Sequence, residues 1–285
     1  MSPLVDFQHK KKRSRIRWVP GIVAVGALAC APAGATGSSP WASQVVSFDA
    51  GAGGIPGYTD PQSTLGAPER FTGETIFPSA VTIFNPAYGP DELYSFGEGG
   101  HLTVEFELPI TDDPSHLFGV DLIVFGNGGF EDVDLPYGQC GDPAFNFGVD
   151  PMRVLVSANG QDFIPLGEFT EGQFPAQGWL DVPPYTDVPG NLPTDFRRPV
   201  DPSLALSDFD GLTYAQALAL YDGSGGGTPI DISTSGLSEV RYVRIESFAP
   251  GVSVEIEAFA VVPEPSGLML FALTVLLDSA FRRMG

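Results

Sequence analysis

Short runs of alternating apolar and polar residues recur along the middle of the chain, separated by dense glycine and proline. The clearest run spans residues 101–108. It sets four apolar residues on one face and three polar residues on the other, namely Leu102, Val104, Phe106 and Leu108 against Thr103, Glu105 and Glu107. Because successive side chains of a strand point to opposite faces, this pattern predicts a half-buried strand. Repetition of such runs predicts an all-β, jelly-roll-like β-sandwich.

Six further segments carry strand-like patterns: residues 45–48, 120–125, 153–157, 163–166, 240–248 and 253–262. Residues 120–125 are almost continuously apolar, which is typical of a central strand. Asn159-Gly160 lies between two of the segments and is a strong hairpin signal. In the last segment, the alternation predicts one shared face for Val254, Ile256, Ala258 and Ala260.

One segment favours a helix instead. Thr213 and Gln216 fit a capping box ahead of the helix-forming residues 217–221, and Asp222-Gly223 follows as a stop signal. Residues 172–202 are rich in proline and predict a long ordered loop over the sandwich. The sequence thus predicts a β-sandwich with one short helix.

The last residues of the chain, 262–285, form a segment of another kind. Pro263 and Pro265 flank Glu264 and end strand pairing, because proline cannot donate to a ladder. An apolar run then precedes Arg282 and Arg283, which the positive-inside rule keeps in the cytoplasm. The stretch 267–281 spans about 22 Å at about 1.5 Å per residue, less than the roughly 30 Å hydrocarbon core. A permanent anchor or a buried core helix is therefore the weaker alternative to a processed signal.

The first residues predict export. Six basic residues lie between positions 10 and 17, and a mostly apolar stretch covers 19–31. The small residues Ala33 and Ala35 then fit a signal-peptide cleavage site ahead of Thr36. An uncleaved anchor is the alternative, but the apolar stretch is short for one. A lipoprotein signal at Cys30 would need a large aliphatic residue three positions before the cysteine, where this chain has Ala27.

Charge in the remaining chain is strongly negative. Of the 14 lysines and arginines, six lie in the N-terminal basic stretch and two are Arg282 and Arg283, so six remain, all arginine. Of the 35 acidic residues, all but Asp6, Glu264 and Asp278 lie between these signals. This balance argues against nucleic acid as a partner and favours cations.

Candidate catalytic chemistry is sparse. His101 and His116 are the histidines that follow the signal peptide, and neither lies in a catalytic motif, so both are read as solvated turn residues. Cys140 has no second cysteine in the mature chain to pair with. Paired carboxylates for glycoside hydrolysis stay open, because some of so many acids will be close by chance. The sequence predicts no catalytic residues.

Acidic loops suggest calcium, which prefers oxygen ligands. The preferred ligands are Asp49 and Glu257, since first and last strands often lie together in jelly rolls, with Asp208 and Asp210 second. Solvated surface carboxylates are the alternative. Sugar binding would need exposed aromatic residues, and the candidates are Trp41, Tyr137, Trp179, Tyr185 and Tyr221. Trp179 and Tyr185 lie in the long loop, where the prediction is that they pin it.

Several motifs occur in order along the mature chain: L-G-A-P at 65–68, G-G-H-L-T-V-E-F at 99–106, V-F-G-N at 124–127, V-S-A-N-G at 156–160 and Y-V-R-I at 242–245. With the tail, they resemble PEP-CTERM sorting domain-containing bacterial surface proteins of an uncharacterised, planctomycete-type group. The V-S-A-N-G and Y-V-R-I segments are also similar to discoidin-like, galactose-binding-like β-sandwiches.

The resemblance implies sorting by an exosortase in a Gram-negative-type bacterium. The C-terminal segment would anchor the protein transiently in the inner membrane, and the destination would be the cell surface or the extracellular matrix. The residues that match the sorting motif are Val262, Pro263, Glu264, Pro265 and Ser266, with Arg282 and Arg283.

The predicted organisation is a signal peptide at 1–35, an extracellular β-sandwich at 36–261 and a sorting signal with a transmembrane helix at 262–285. We predict a non-catalytic exported protein, with exosortase-type machinery as partner and calcium as a structural ion. Two alternatives remain open. One is a carbohydrate-binding module for exopolysaccharide, and the other is a carbohydrate-active hydrolase.

Overall fold

The computed structural model describes residues 39–73 and 77–264. The predicted signal peptide with Ala33, Ala35 and Thr36 lies outside these residues. So do the sorting-motif residues Pro265, Ser266, Arg282 and Arg283. In the described ranges, no helix is both long enough and apolar enough to cross a membrane.

Eleven strands and one α-helix form the regular part of the described chain. The strands are β1 (Gln44–Asp49), β2 (Tyr94–Gly97), β3 (His101–Thr111), β4 (Leu122–Gly126), β5 (Gly129–Phe130), β6 (Asn146–Phe147), β7 (Pro151–Ser157), β8 (Ile164–Thr170), β9 (Thr228–Ile230), β10 (Glu239–Glu246) and β11 (Ser253–Val261). The helix is α1 (Tyr214–Tyr221).

The strands form two antiparallel sheets and a small hairpin. The five-stranded sheet has the order β1-β3-β10-β7-β8, and the four-stranded sheet has the order β2-β11-β4-β9. Strands β5 and β6 pair with each other. The predicted β-sandwich with one short helix is therefore confirmed for the described residues.

Apolar side chains from both sheets meet in the inner core of the sandwich. Val104 and Phe106 of β3 have no exposed surface, and Phe106 meets Phe259 of β11 edge to face at 6.5 Å between ring centres. Glu107 on the other face of β3 is exposed. The alternation thus predicted the buried face at Leu102, Val104 and Phe106 and the exposure of Glu107. The polar face is not uniformly exposed, because Thr103 is buried and Glu105 is half-buried.

The predicted common face of the last strand is wrong at its second half. A register shift lies between Ile256 and Ala258 in the pairing of β11 with β4. Val254 and Ile256 lie in the inner core, whereas Ala258 and Ala260 pack in another cluster on the opposite face. A bulge adds one residue to a strand, so the residues that follow it change faces.

Segments that belong to neither of the two large sheets cover the outer face of the four-stranded sheet. We call the described residues within 69–93, 131–150 and 171–227 the outer layer. Side chains of β4 and β11 pack there against Val81, Ala176 and Phe196. A second apolar cluster includes Cys140, Phe174 and Tyr214. The sandwich is therefore covered on this side by a third, mostly irregular layer.

Hydrogen bonds with side chains hold the irregular backbone of the outer layer in place. Gln177 is fully buried, accepts a hydrogen bond from the Ile83 N–H at 3.0 Å and donates to the Tyr214 hydroxyl at 2.7 Å. The Arg70 guanidinium donates to the Thr194 carbonyl and lies 4.0 Å from the Phe196 ring centre. These contacts satisfy polar groups that the irregular backbone would otherwise leave unpaired.

The predicted long loop at 172–202 is part of this layer. Trp179 is buried and meets Phe71 edge to face at 6.3 Å, so its predicted role in pinning the loop is confirmed. Helix α1 begins as predicted, since the Gln216 side chain accepts a hydrogen bond from the Thr213 N–H at 3.0 Å. It ends at Tyr221, and the C-cap residue Asp222 has a left-handed φ of 47°.

Candidate functional site

A cleft of about 630 Å³ opens beside β8, the edge strand of the five-stranded sheet. Its walls come from β8, from the β5–β6 hairpin and from the segment around residues 204–209. Three parts of the chain that are far apart in sequence therefore meet here. The volume lies in the range of about 300–1,000 Å³ that is usual for small-molecule sites.

Aromatic rings form the buried part of the cleft lining. Phe130, Phe174 and Phe209 are buried, and Phe130 lies 4.9 Å from Phe209 between ring centres. Phe145 also lines the cleft but is 56% exposed. An exposed aromatic ring offers a flat apolar surface to a ligand. Because contact of that surface with water is unfavourable, an exposed ring in a cleft indicates a binding surface.

Polar side chains complete the lining. Asn146 is buried, and its side-chain nitrogen donates to the carbonyls of Gly172 and Gln173 at 3.1 and 3.2 Å. Its side-chain oxygen is buried without a hydrogen-bond partner. This oxygen lies beside Gly128 and exposes no surface to the cleft. Gln173 and the exposed Thr170 supply the polar side chains of the lining that a ligand can reach.

The charge in the cleft lining comes from Glu168. Its carboxylate is exposed and lies 3.2 Å from the Arg153 guanidinium. Arg153 in turn lies 4.8 Å from the Phe248 ring centre. The described residues that line the cleft include no second carboxylate.

Sequence reasoning missed this cleft. The aromatic residues it proposed for sugar binding were Trp41, Tyr137, Trp179, Tyr185 and Tyr221, and these do not line it. Tyr221 is buried and donates its hydroxyl to the Pro175 carbonyl. The signal that could have indicated the cleft is the sequence Phe145-Asn146-Phe147, because Phe145 and Phe147 are exposed on either side of a buried asparagine.

The preferred calcium ligands lie on different sheets. Asp49 is at the end of β1 in the five-stranded sheet, and its carboxylate accepts a hydrogen bond from the Gly51 N–H at 2.9 Å. Glu257 lies on β11 in the four-stranded sheet and accepts one from the Glu69 N–H at 2.7 Å. The chain segment before β1 does reach the last strand, through the Trp41–Ala260 bridge, but β1 itself pairs with β3.

The second predicted pair is used locally. Asp208 accepts a hydrogen bond from the Ala205 N–H at 2.7 Å, as part of a helical turn. Asp210 accepts one from the Ala144 N–H at 2.7 Å, which ties two segments of the outer layer together. Each carboxylate keeps a second oxygen for other contacts. Calcium binding by this pair stays a prediction.

His116 is not the solvated turn residue that the sequence suggested. It is 4% exposed, and its Nδ1 lies 2.7 Å from the Asp121 carboxylate. His101 is half-buried and pairs with the Ser47 hydroxyl at 3.3 Å. The Asp121 carboxylate that contacts His116 also accepts a hydrogen bond from the distant Ile232 N–H, an arrangement that the local sequence does not specify.

Three carboxylates lie close together behind the sheet. Glu171 is fully buried, and one of its oxygens accepts a hydrogen bond from the Glu255 N–H at 3.4 Å. Burial, followed by the charge of Glu255, raises the pKa of Glu171 well above its ordinary value. Burial and Asp150 raise the pKa of Glu255 to about 7. These groups can hold protons at neutral pH.

Glu257 is a second buried acid on β11. Burial is the main cause that raises its pKa to about 8, with smaller contributions from Glu92 and Glu69. One of its oxygens has no hydrogen-bond partner. Sequence reasoning predicted Glu257 as a metal ligand or a solvated surface carboxylate, because it did not foresee the outer layer above this strand.

The remaining predicted residues are placed as follows. Val262 is buried, and its N–H donates to the Asp121 carbonyl at 2.9 Å. Pro263 and Glu264 are exposed. Cys140 is buried, which raises the pKa of its thiol to about 11 and keeps it protonated at neutral pH.

Comparison with known proteins gives limited similarity. No protein-family model and no curated protein matches the sequence. Among solved structures, the CBM32 of AlyQ in complex with 4,5-unsaturated mannuronic acid is 9% identical, with 77% of this chain and 96% of that chain covered and a TM-score of 0.29. A pectin binding carbohydrate binding module is 10% identical, with 79% and 94% covered and a TM-score of 0.29.

A third solved structure is truncated AlyQ with CBM32 and alginate lyase domains. It is 10% identical, and the match covers 79% of this chain and 34% of that chain with a TM-score of 0.28. Similarity at this level does not transfer a ligand or an activity. The function must therefore be argued from the cleft itself.

Proposed function

We propose that the sandwich domain is a non-catalytic carbohydrate-binding module whose ligand occupies the cleft beside β8. The supporting observation is the lining, which combines buried aromatic rings with an exposed Phe145 and the polar side chains of Thr170 and Gln173. A sugar ring has an apolar face that can pack on Phe145 and hydroxyl groups that can hydrogen-bond to the side chains of Thr170 and Gln173.

The charge of the domain favours a neutral polysaccharide. Acidic residues far outnumber the six arginines between the two predicted signals. Glu168 adds a carboxylate to the cleft lining itself. Because like charges repel, an acidic polysaccharide would approach this surface less readily than a neutral one.

Binding without hydrolysis fits the lining better than glycosidase chemistry does. Glycoside hydrolysis commonly uses two carboxyl groups that flank the bond to be cleaved. Glu168 is the carboxylate that the described lining supplies, and Glu171 is buried. The hydrolase alternative would gain support from turnover that is lost in Glu168→Gln.

Affinity electrophoresis in gels that contain neutral or acidic polysaccharides tests the proposal. We expect retardation by at least one neutral polysaccharide, and a loss of affinity of about tenfold or more in Phe145→Ala, since stacking on an aromatic ring contributes on the order of 1–3 kcal/mol. Tyr137→Ala is the control, because Tyr137 is 75% exposed and does not line the cleft. Equal retardation of Phe145→Ala and the original protein would place the ligand elsewhere.

We also propose that the domain is exported and sorted to the cell surface or extracellular matrix. The support is the sequence at both ends of the chain, with a predicted signal peptide and a predicted sorting motif from Val262 to Ser266. Deletion of residues 263–285 should release the domain into the medium. Unchanged surface retention in fractionated cells would show that another segment directs localisation.

A further inference from the structure

Three potential metal ligands converge beside the last strand. They are Asp113 and His116, in the turn after β3, and Glu264, which lies shortly after β11. One atom from each, a carboxylate oxygen or an imidazole nitrogen, lies within 4.8 Å of the others. Residues separated by about 150 positions therefore present oxygen and nitrogen ligands to a common point.

The His116 ring is oriented for metal binding. The Asp121 carboxylate lies 2.7 Å from Nδ1, and it also accepts a hydrogen bond from the Ile232 N–H at 3.0 Å. Because Asp121 is an acceptor, we assign the ring hydrogen to Nδ1, and an imidazole in this tautomer would present its lone pair at Nε2. A carboxylate that holds the far nitrogen of a histidine is the usual arrangement around metal-bound histidines.

The Nε2 atom is buried but has no hydrogen-bond partner. The His116 side chain is 1% exposed, and Nε2 lies 3.5 Å from the Glu264 carboxylate without hydrogen-bond geometry. A buried nitrogen with an unused lone pair is costly unless something binds it. The buried, unpartnered nitrogen is therefore a second observation, separate from the cluster of acidic residues.

The distance between the two ligand atoms fits a bound ion. In a tetrahedral zinc site with bonds of about 2.0–2.2 Å, neighbouring ligand atoms lie about 3.4 Å apart. The separation of His116 Nε2 from the Glu264 oxygen is 3.5 Å. We propose that Asp113, His116 and Glu264 bind a divalent transition-metal ion, with zinc as the best match to one imidazole and two carboxylates.

The site is accessible from solvent. Glu264 is exposed and Asp113 is half-buried, so the carboxylate side of the site is open to solvent. A cleft of about 390 Å³ nearby is lined by His116 with Asp112 and Asp231, but not by Asp113 or Glu264. Metal binding requires such an access route and room for a water ligand. Asp112 and Asp231 form a neighbouring acidic group with Asp121, but that group has no imidazole.

Metal binding would have a consequence for the end of the domain. Glu264 is 60% exposed at its side chain and belongs to the predicted Pro-Glu-Pro sorting motif. A bound ion would hold Pro263 and Glu264 against the sandwich. The proposed metal site is independent of the carbohydrate cleft, which lies beside β8.

Calorimetric titration of the full, untagged chain with zinc sulfate tests the site, with magnesium sulfate as the comparison ion. We expect about one zinc ion per chain and a rise in melting temperature with zinc but not magnesium. Glu264→Gln and Asp113→Asn should each weaken zinc binding by more than about tenfold. Glu264 is exposed and Asp113 is half-buried, and both changes keep the size of the side chain, so these variants should fold.

Asp231→Asn is the matched control, because it removes a carboxylate from the neighbouring group and leaves the three proposed ligands intact. It should bind zinc like the original protein. The proposal is overturned if the original protein binds no zinc. It is also overturned if Glu264→Gln and Asp113→Asn bind zinc as tightly as the original, or if only Asp231→Asn loses it.

Discussion

The inner core and the outer layer bury their side chains by different rules. The inner core lies between two sheets and is lined by apolar residues at alternate positions along the strands, such as Val104 and Phe106 of β3. The outer layer packs irregular chain on the back of the four-stranded sheet, and it buries Glu171, Gln177 and Glu257 as well as apolar rings. The same strand, β11, contributes to both regions through its two faces.

This difference shows where polar chemistry can exist in the fold. Between two sheets the backbone groups are already paired, so a polar side chain would find few partners. Irregular chain leaves backbone N–H and carbonyl groups free to bind side chains, as Gln177 and Arg70 do. The cleft is lined partly by the outer layer, and the buried acids lie on its side of the four-stranded sheet.

A charge in the inner core should have the largest effect of any single change. Val104→Asp should unfold the domain, because it buries a carboxylate with no partner and costs more than about 4 kcal/mol. Glu107→Lys, on the exposed face of the same strand, should change stability by no more than about 0.5 kcal/mol. Urea unfolding followed by circular dichroism measures both. Equal tolerance would mean that the two faces of β3 do not differ in burial.

The sequence predicted the inner core better than the outer layer for a physical reason. Alternation over 101–108 and the apolar run at 120–125 report burial between sheets directly, and both segments form strands. The bulge near Glu257 has no such local signal and reverses the face of Ala258. The predictions for the two ends of the chain concern export and processing, which the fold does not test.

The candidate sites were less predictable because each joins distant segments. Phe145, Glu168 and Leu206 meet in the cleft only after β8 and the outer layer have packed. His116 looked like a turn residue because its partners, Asp121 and Glu264, become neighbours through tertiary structure. Residue type could suggest metal binding, but it could not choose which acids come together.

The pH dependence of stability should separate the acids that lie beneath the outer layer from surface acids. The pKa of Glu257 is raised from an ordinary 4.5 to about 8 in the folded protein. The folded state therefore binds a proton more tightly than the unfolded state. Stability should be highest at and below about pH 4.5 for this group and fall as pH rises towards 8, by up to about 1.4 kcal/mol per pH unit.

Glu257→Gln should remove that part of the pH dependence, because the amide cannot ionise. The free energy of unfolding at pH 5, 6, 7 and 8 measures it, and Glu107→Gln on the exposed face is the control. Some dependence should remain up to about pH 7 from Glu255. Parallel profiles for Glu257→Gln and the original protein would show that Glu257 does not keep its proton.

Calcium should have the smallest effect on stability. Its addition tests whether the acids of the outer layer are neutralised by protons or by a cation. Asp208 and Asp210 each give one oxygen to a backbone N–H and keep the other available. A site of this kind would add RT ln(1 + [L]/Kd), about 1.4 kcal/mol at a tenfold excess of calcium over Kd. We expect a higher melting midpoint in calcium than in chelator, with a weaker response to magnesium.

Asp210→Asn should lose the calcium response, whereas Asp162→Asn, at an exposed hairpin, should keep it. An unchanged midpoint in the original protein would leave Asp208 and Asp210 with their hydrogen-bonding roles, and would leave protons as the means by which the outer layer limits its charge.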